Sequence, residues 1–297
     1  MTENHHLGQL NDRALITISG PDSGHFLQNV ITTDIKKISE EDMLPGALLS
    51  PHGKVLFDFL IGYHNGLFFI DIRSAIANAF IRRLNLYRLR ANIEIHEKKH
   101  AIVDIFQEKL IKHTSSKTEK DDSTLIFNDK RVNKKYNIIR TYYIKNQEHA
   151  AVDDTETWDI IRIENGIAES GTDFEPGDVF PHDINYDKIN GLSFEKGCYI
   201  GQEVISRIQH RGTARKRVLI AASSSFLPRA GTVIEAEGSR VGVLGTVAGT
   251  KAIALVRIGQ LKALTDAGIP VTAQGIPLAF SLPPNVYFIL SDREREL

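Results

Sequence analysis

Cysteine occurs once in the 297 residues, at Cys198. That excludes an intramolecular disulfide and any metal site built only from this chain's thiolates. Tryptophan also occurs once, at Trp158, and methionine only twice. No apolar run reaches the roughly 18 residues that a membrane-crossing helix needs, so no membrane span is expected. An excess of one charge is missing too. Lys plus Arg is 36 against 37 for Asp plus Glu, a formal net charge of -1. That balance does not call for a lipid surface, and direct nucleic-acid binding is not expected. The opening Met1-Thr2-Glu3-Asn4-His5-His6 has no basic n-region, apolar core or Arg-rich amphipathic stretch. A signal or transit peptide is therefore not expected, and the cytoplasm is the expected compartment.

What is present is an ordinary globular composition, 42% hydrophobic and 25% charged. A chain of this length buries about three quarters of its unfolded surface and needs no cross-link to fold. Ala14 to Ile18 reads as a strand, and Gly20-Pro21-Asp22-Ser23 breaks it and caps a helix carrying Phe26, Leu27, Val30 and Ile31. Ala47 to Leu49 and Val55 to Ile61 flank a hairpin turn, Ser50-Pro51-His52-Gly53-Lys54. His64-Asn65-Gly66 is a second turn before a strand over Leu67 to Ile72. Ser74 is the expected N-cap of a helix whose inner face is Ile76, Phe80, Leu84 and Tyr87, with Arg82, Arg83, Arg88 and Arg90 on a solvated basic face. Ala91 to Ile95 resumes as strand. Strand–helix–strand–strand–helix–strand is the ferredoxin-like order.

Further strands are expected over Ala101 to Phe106 and Ile138 to Ile144, with a polar loop over Lys112 to Thr124 between them. A helix around Trp158 to Ile163 closes at Asn165-Gly166. Gly171 to Asn190 reads as an ordered loop or linker. After Gly212 come short strands at Val218 to Ala222, Val233 to Ala236, Val241 to Val247, Ala252 to Ile258 and Leu278 to Phe280, punctuated by glycines. That pattern indicates a small antiparallel β-barrel. The expected division is an α+β region over 1–212, with an approximate break near 100, and a barrel over 213–297.

The segment with chemical content is Lys196-Gly197-Cys198-Tyr199-Ile200-Gly201-Gln202-Glu203. Two glycines bracket the single thiol, freeing the backbone for positive φ and for a nest of amides. Lys196 is two residues away, and a nearby cation favours the nucleophilic, metal-binding thiolate. Gln202 and Glu203 open a helix through Val204, Ile205 and Ile208, whose N-terminus acts in the same sense. Against this stand plainer readings: a lone cysteine is more often a small buried hydrophobe, and paired glycines a simple turn. Arg207, His210, Arg211, Arg215, Lys216 and Arg217 then form a basic run, either an anion-binding patch or a solvated linker.

Those residues, with Arg207 and Arg211-Gly212 after them, resemble the signature of YgfZ-type folate-binding proteins. These are similar to the glycine cleavage T-protein, an aminomethyltransferase, and include an iron–sulfur assembly branch. The likeness extends over nearly the whole chain: Leu15 to Ser23, Phe26-Leu27-Gln28-Asn29, Thr32-Thr33-Asp34, the Leu48 to Lys54 hairpin, Trp158 with Arg162-Ile163-Glu164-Asn165-Gly166, and Phe180-Pro181 with Asn185. The resemblance implies an α+β fold, a ferredoxin-like folate-binding core of the T-protein type plus the barrel. It implies tetrahydrofolate or another folate as ligand, held by Trp158, Arg13, Arg162, Glu164 and Asn185, with Glu203 as an alternative pterin acceptor. Arg13 stands where some members have an aromatic residue. The resemblance also implies a role in assembling or repairing iron–sulfur proteins, including clients that modify tRNA. Cys198 would be the working thiol, assisted by Lys196, and iron–sulfur clients or carriers the partners of a monomer. One thiol cannot hold a cluster alone, so no stable metal is expected from this chain by itself. Two alternatives stay open: a folate-dependent one-carbon transferase, and a folate-binding protein without chemistry. For the former, the stretch Ile70 to Asn78 shows Asp71 at the strand end and Asn78 nearest the T-protein's catalytic aspartate position, where an amide cannot take a proton.

Overall fold

The computed structural model describes residues 4–98, 102–108, 124–132, 137–144, 155–212, 214–284 and 286–287. The chain divides into two compact units. The first comprises Met1–Leu49, Phe57–Trp158 and Asn190–Ile200, and the second Ser50–Leu56, Asp159–Ile189 and Gly201–Leu297.

Among the described residues, the first unit is built on a nine-stranded sheet. Its strands are β1 (Asn4–Leu10), β2 (Arg13–Ser19), β3 (Asp42–Leu49), β4 (Val55–His64), β5 (Leu67–Arg73), β6 (Glu94–Lys98), β7 (Ile102–Glu108), β8 (Thr124–Asp129) and β9 (Asn137–Tyr143). The order is β1-β7-β9-β8-β3-β4-β5-β2-β6. Helix α1 (Ser23–Val30) follows β2, and α2 (Ser74–Arg88) joins β5 to β6. The sub-order β4-β5-β2-β6 pairs antiparallel from β4 to β6, which is the ferredoxin-like arrangement expected from the element order. Leu15, Ile16 and Ile18 of β2 and Phe80 and Leu84 of α2 are buried, so the helical face expected at spacings of four is the one that packs.

Three local expectations need correction. Ser74 is the first helical residue of α2 and not its cap; Arg73 is the N-cap, without a side-chain capping bond. Asp22 does precede α1, but its carboxylate accepts from the Asn92 N–H (2.7 Å), tying the helix start to the β6 approach instead of capping α1. The strand expected from Ala91 begins at Glu94, because Arg88 closes α2 through its guanidinium on the Ala91 carbonyl and the chain needs a turn first. Strands β1 and β8 escaped sequence reading. The loop expected over Lys112 to Thr124 lies outside the described residues except Thr124, which starts β8.

The second unit carries α3 (Thr155–Asn165, from Asp159 on), α4 (Gln202–Arg211), α5 (Ile258–Asp266) and a seven-stranded antiparallel barrel. The barrel strands are β10 (Lys216–Ala222), β11 (Val233–Ala236), β12 (Ser239–Ala248), β13 (Lys251–Arg257), β14 (Thr272–Ala273), β15 (Ile276–Pro277) and β16 (Ala279–Ser281). Their order is β15-β14-β11-β12-β13-β10-β16. Leu219, Ala221, Ile234, Val241, Leu244, Ala254 and Val256 fill the barrel, with Leu261 of α5 against them. These are aliphatic side chains without an aromatic among them, as suits a narrow barrel with little interior volume. Helix α5 and strands β14 and β15 were not expected: two-residue strands carry no periodicity, and of α5 only its first residue, Ile258, was read, as the end of the preceding strand. No helix among the described residues is long and apolar enough to cross a membrane.

Candidate functional site

The cysteine segment is held from its N-terminal side by a short stretch after α1. Thr32 and Thr33 are fully buried polar residues, so their groups must find partners. The Thr32 hydroxyl donates to the Gly191 carbonyl (2.6 Å) and accepts from the Ala47 N–H (2.9 Å). The Thr32 carbonyl accepts the Ser193 N–H (3.0 Å). Three residues on, Lys196 folds its chain inward and is 8% exposed. Its Nζ donates to the carbonyls of Ile31 (2.7 Å) and Thr33 (2.8 Å). Ile31 is the C-cap of α1, where a cation meets the negative end of the helix dipole. The same ammonium lies 5.1 Å from the centre of the Tyr199 ring. Burial lowers the Lys196 pKa to about 8, against the opposing charge of Asp34. Burial likewise raises the Tyr199 pKa.

Cys198 itself is exposed. A sulfur sealed in hydrocarbon would have removed any chemical role, and this one is open to solvent. The cation expected to act on the thiol is engaged by two carbonyls, so its geometry is that of an anchor. The two glycines also differ. Gly201 has φ +79° and is the N-cap of α4, and a Cβ there would lie 2.5 Å from the Ser50 carbonyl oxygen and 3.1 Å from the Gly53 Cα. Any side chain would collide with that backbone. Gly197 has no positive φ and faces open space, so no strain explains it. The Ser50–Lys54 turn, closed by Ser50 N–H to the Lys54 carbonyl (2.8 Å), thus seats the start of α4, and Gly53 packs on Val204 and Ile205. Sequence reading singled out both segments; their meeting is new.

Two members of the basic run, Arg207 and Arg217, are engaged by carboxylates of the chain. Arg207 pairs with Glu203 at 2.9 Å in an exposed i,i+4 pair, and Arg211 is exposed at the end of α4, which Gly212 closes in a left-handed conformation. Arg217 is buried, donating to both oxygens of Asp187 and to the His182 carbonyl. Gln202 opens α4.

The expected folate contacts are dispersed in their surroundings. Trp158 is buried in the first unit, with the guanidinium carbons of Arg140 and Arg131 at 4.8 and 5.5 Å from its ring centre; its indole Nε1 has no hydrogen-bond partner. Arg13 is buried on Asp71, with Nε on Oδ1 at 2.5 Å and Nη2 on the Asp71 carbonyl at 3.1 Å. In the second unit, Arg162 donates to Asp159, Asp173, the Ile167 carbonyl and the Thr246 hydroxyl. Glu164 pairs with Lys251 at 2.8 Å. Asn185, at φ +61°, donates to the Val218 carbonyl (2.9 Å), while its Oδ1 is buried without a partner.

Sequence reasoning missed a buried charge cluster in the first unit. Asp71 Oδ2 accepts from Arg140 Nη1 (2.8 Å) and from the Tyr142 hydroxyl (2.7 Å), while Arg140 Nε donates to Asp129 (2.9 Å), which also pairs with Arg131. Burial alone would raise the Asp71 pKa, but the charges of Arg13 and Arg140 and the Tyr142 hydroxyl override it and hold it below the ordinary value. Asp129 is lowered in the same way by Arg131 and Arg140. A carboxylate held ionised with both oxygens occupied is a poor proton acceptor. The available signal was weak: an arginine and a tyrosine at alternate positions of one predicted strand face, Arg140 and Tyr142.

A family model described as the CAF17 C-terminal β-barrel domain matches residues 215–287. The chain is similar to the mitochondrial iron–sulfur cluster assembly factor IBA57 homolog of Dictyostelium discoideum, 26% identical over 250 residues, covering 70% of this chain and 60% of that protein. It is similar to the tRNA-modifying protein YgfZ of Hamiltonella defensa, 28% identical, covering 76% of this chain and 73% of that one. Two of the IBA57 homologs, those of Dictyostelium and Phaeosphaeria nodorum, are matched over only 60% and 54% of their length. Among solved structures, the aminomethyltransferase T of the glycine cleavage system from Bartonella henselae superposes with a TM-score of 0.67 at 15% identity, over 94% of this chain and 85% of that one. The sheet and the barrel agree with these likenesses: the chain is similar to YgfZ and IBA57 proteins and has a T-protein-like fold.

Proposed function

We propose that this protein is a factor in the assembly or repair of iron–sulfur proteins, including clients that modify tRNA, with Cys198 as its working thiol. The observation that carries the reading is the solvent-exposed sulfur on a segment whose approach is fixed by Thr32 and Lys196. An accessible thiol on a held backbone suits transient ligation of iron or exchange with a client thiol. The names carried by the relatives supply the biological direction. A cluster contact must be shared with another protein, since one cysteine supplies one ligand where about four are usual. Replacing Cys198 with Ala in cells and assaying cluster-dependent enzymes tests it. Loss of those activities is expected, and undiminished activity would remove the proposal.

Folate is the proposed small-molecule ligand, argued from the T-protein-like fold. Of the five contact candidates, Trp158 and Asn185 each keep a buried polar atom without a partner, an indole N–H and an amide oxygen. Orphaned buried groups are costly unless a ligand or water satisfies them. Arg13, Arg162 and Glu164 fit less well, because their charged ends are engaged by Asp71, by Asp159 and Asp173, and by Lys251. Calorimetric titration with tetrahydrofolate is expected to show binding that Trp158→Phe weakens about fivefold, the loss of one hydrogen bond. Absence of heat on titration of the wild type would end the folate reading.

A further inference from the structure

We infer that Lys196 is a positioning residue, one that fixes where Cys198 is presented and does not act by its charge on the sulfur. The inference rests on the proposed role of Cys198. Its own basis is the hydrogen-bond geometry. An ammonium has three donors, and two are spent on the carbonyls of Ile31 and Thr33 at 2.7 and 2.8 Å. The remaining face of the group is turned to the Tyr199 ring. Both carbonyls flank Thr32, whose hydroxyl and carbonyl bind Gly191 and Ser193. Residues 31–33 therefore grip the incoming chain at Gly191, Ser193 and Lys196, and the next rigid point, Tyr199, is itself buried. Between the last two grips lie only Gly197 and Cys198, both exposed. Gly197 shows neither a positive φ nor crowding around a Cβ built there. The charged groups around the Lys196 amine are few: Asp34 attracts it, and the Tyr199 hydroxyl is held neutral by burial.

The test uses the full chain. Lys196→Met is expected to speed amide exchange over Gly191–Tyr199 about tenfold or more, as two charge-assisted bonds are lost. It should leave the midpoint of the pH–rate profile for iodoacetamide alkylation of Cys198 where the wild type has it. In cells, Lys196→Met should lower cluster-enzyme activity, Lys196→Arg should restore part of it, and Lys196→Met added to Cys198→Ala should cause no further loss. A structural role alone would make the double variant worse than Cys198→Ala. An upward shift of the alkylation midpoint in Lys196→Met would assign the residue to thiol activation and overturn the inference, as would unchanged amide exchange. If Lys196→Met does not fold, Lys196→Gln, which keeps one donor, carries the same measurements. If Cys198→Ala leaves client activity intact, the proposed function falls by that result alone, while exchange and alkylation still decide the role of Lys196.

Discussion

Arg140 in the sheet unit and Arg162 in the barrel unit are both sealed from solvent, yet they are satisfied differently. Arg162 places all five N–H groups: on Asp159, Asp173, the Ile167 carbonyl and the Thr246 hydroxyl. Arg140 bridges two carboxylates, Asp71 and Asp129, and leaves Nη2 without a hydrogen-bond partner beside the Trp158 ring. The first is a closed node that pins a helix to its own barrel. The second is a chain of charges, Arg13–Asp71–Arg140–Asp129–Arg131, in which each member depends on the next. A closed node degrades bond by bond, whereas a chain leaves uncompensated buried charge wherever it is cut.

The largest expected effect follows from cutting the chain. Asp71→Ala removes the carboxylate shared by the buried Arg13 and Arg140 and an acceptor of the Tyr142 hydroxyl. We expect a loss of about 3–5 kcal/mol in denaturant unfolding. A loss below about 1 kcal/mol would show that the cluster relaxes or takes up water, and the contrast with Arg162 would vanish.

How much of this was legible beforehand differs by unit. Glycine turns and short apolar runs marked the barrel, and Arg162 stood out through the Arg162 to Gly166 pattern. The cluster did not, because Arg13, Asp71, Asp129 and Arg140 are up to 127 positions apart in sequence and meet only through sheet pairing that joins β2 to β5 and β8 to β9. Cys198 was legible as a lone thiol between glycines. The task of Lys196 was not, since two residues of sequence proximity imply an effect on the sulfur, while the fold turns the amine to the carbonyls of Ile31 and Thr33. Trp158 read as a folate contact through the resemblance, but the guanidinium groups that lie over its ring come from β9 and the stretch after β8.

A second, smaller effect separates Lys196 from both arginines, which stay charged at any ordinary pH. The Lys196 pKa falls from the ordinary 10.5 to about 8 on folding. Below pH 8 the amine is charged in both states, so the full penalty of burying that charge is present. Between about pH 8 and 10.5 the unfolded chain holds one proton more, and stability rises with pH. Subtracting the unfolding free energy of Lys196→Met from that of the wild type should give a curve rising over this window by on the order of 3 kcal/mol at most. A flat difference curve would place the Lys196 pKa at its ordinary value and loosen its hold on the two carbonyls.

Next comes the closed node itself. Thr246→Val keeps the shape but removes the hydroxyl that donates to Asp173 and accepts from Arg162. Four other Arg162 bonds remain, so we expect a cost of about 1–2 kcal/mol. A cost equal to that of Asp71→Ala would mean that the node also fails as a unit.

The smallest effect is expected where sequence reading was most generous. Glu203 ends the cysteine motif and was one candidate acceptor for a pterin, yet its side chain is 87% exposed and reaches Arg207 along the same helix at 2.9 Å. An exposed i,i+4 pair is screened by solvent and contributes about 0.3–0.5 kcal/mol. Its acidic end near the start of α4 adds a few tenths of a kcal/mol through the helix dipole. Glu203→Ala should therefore shift unfolding by less than about 1 kcal/mol and leave tetrahydrofolate affinity unchanged in calorimetry. A tenfold loss of folate affinity would instead move Glu203 into the ligand site and reduce the claim of Trp158 and Asn185 to it.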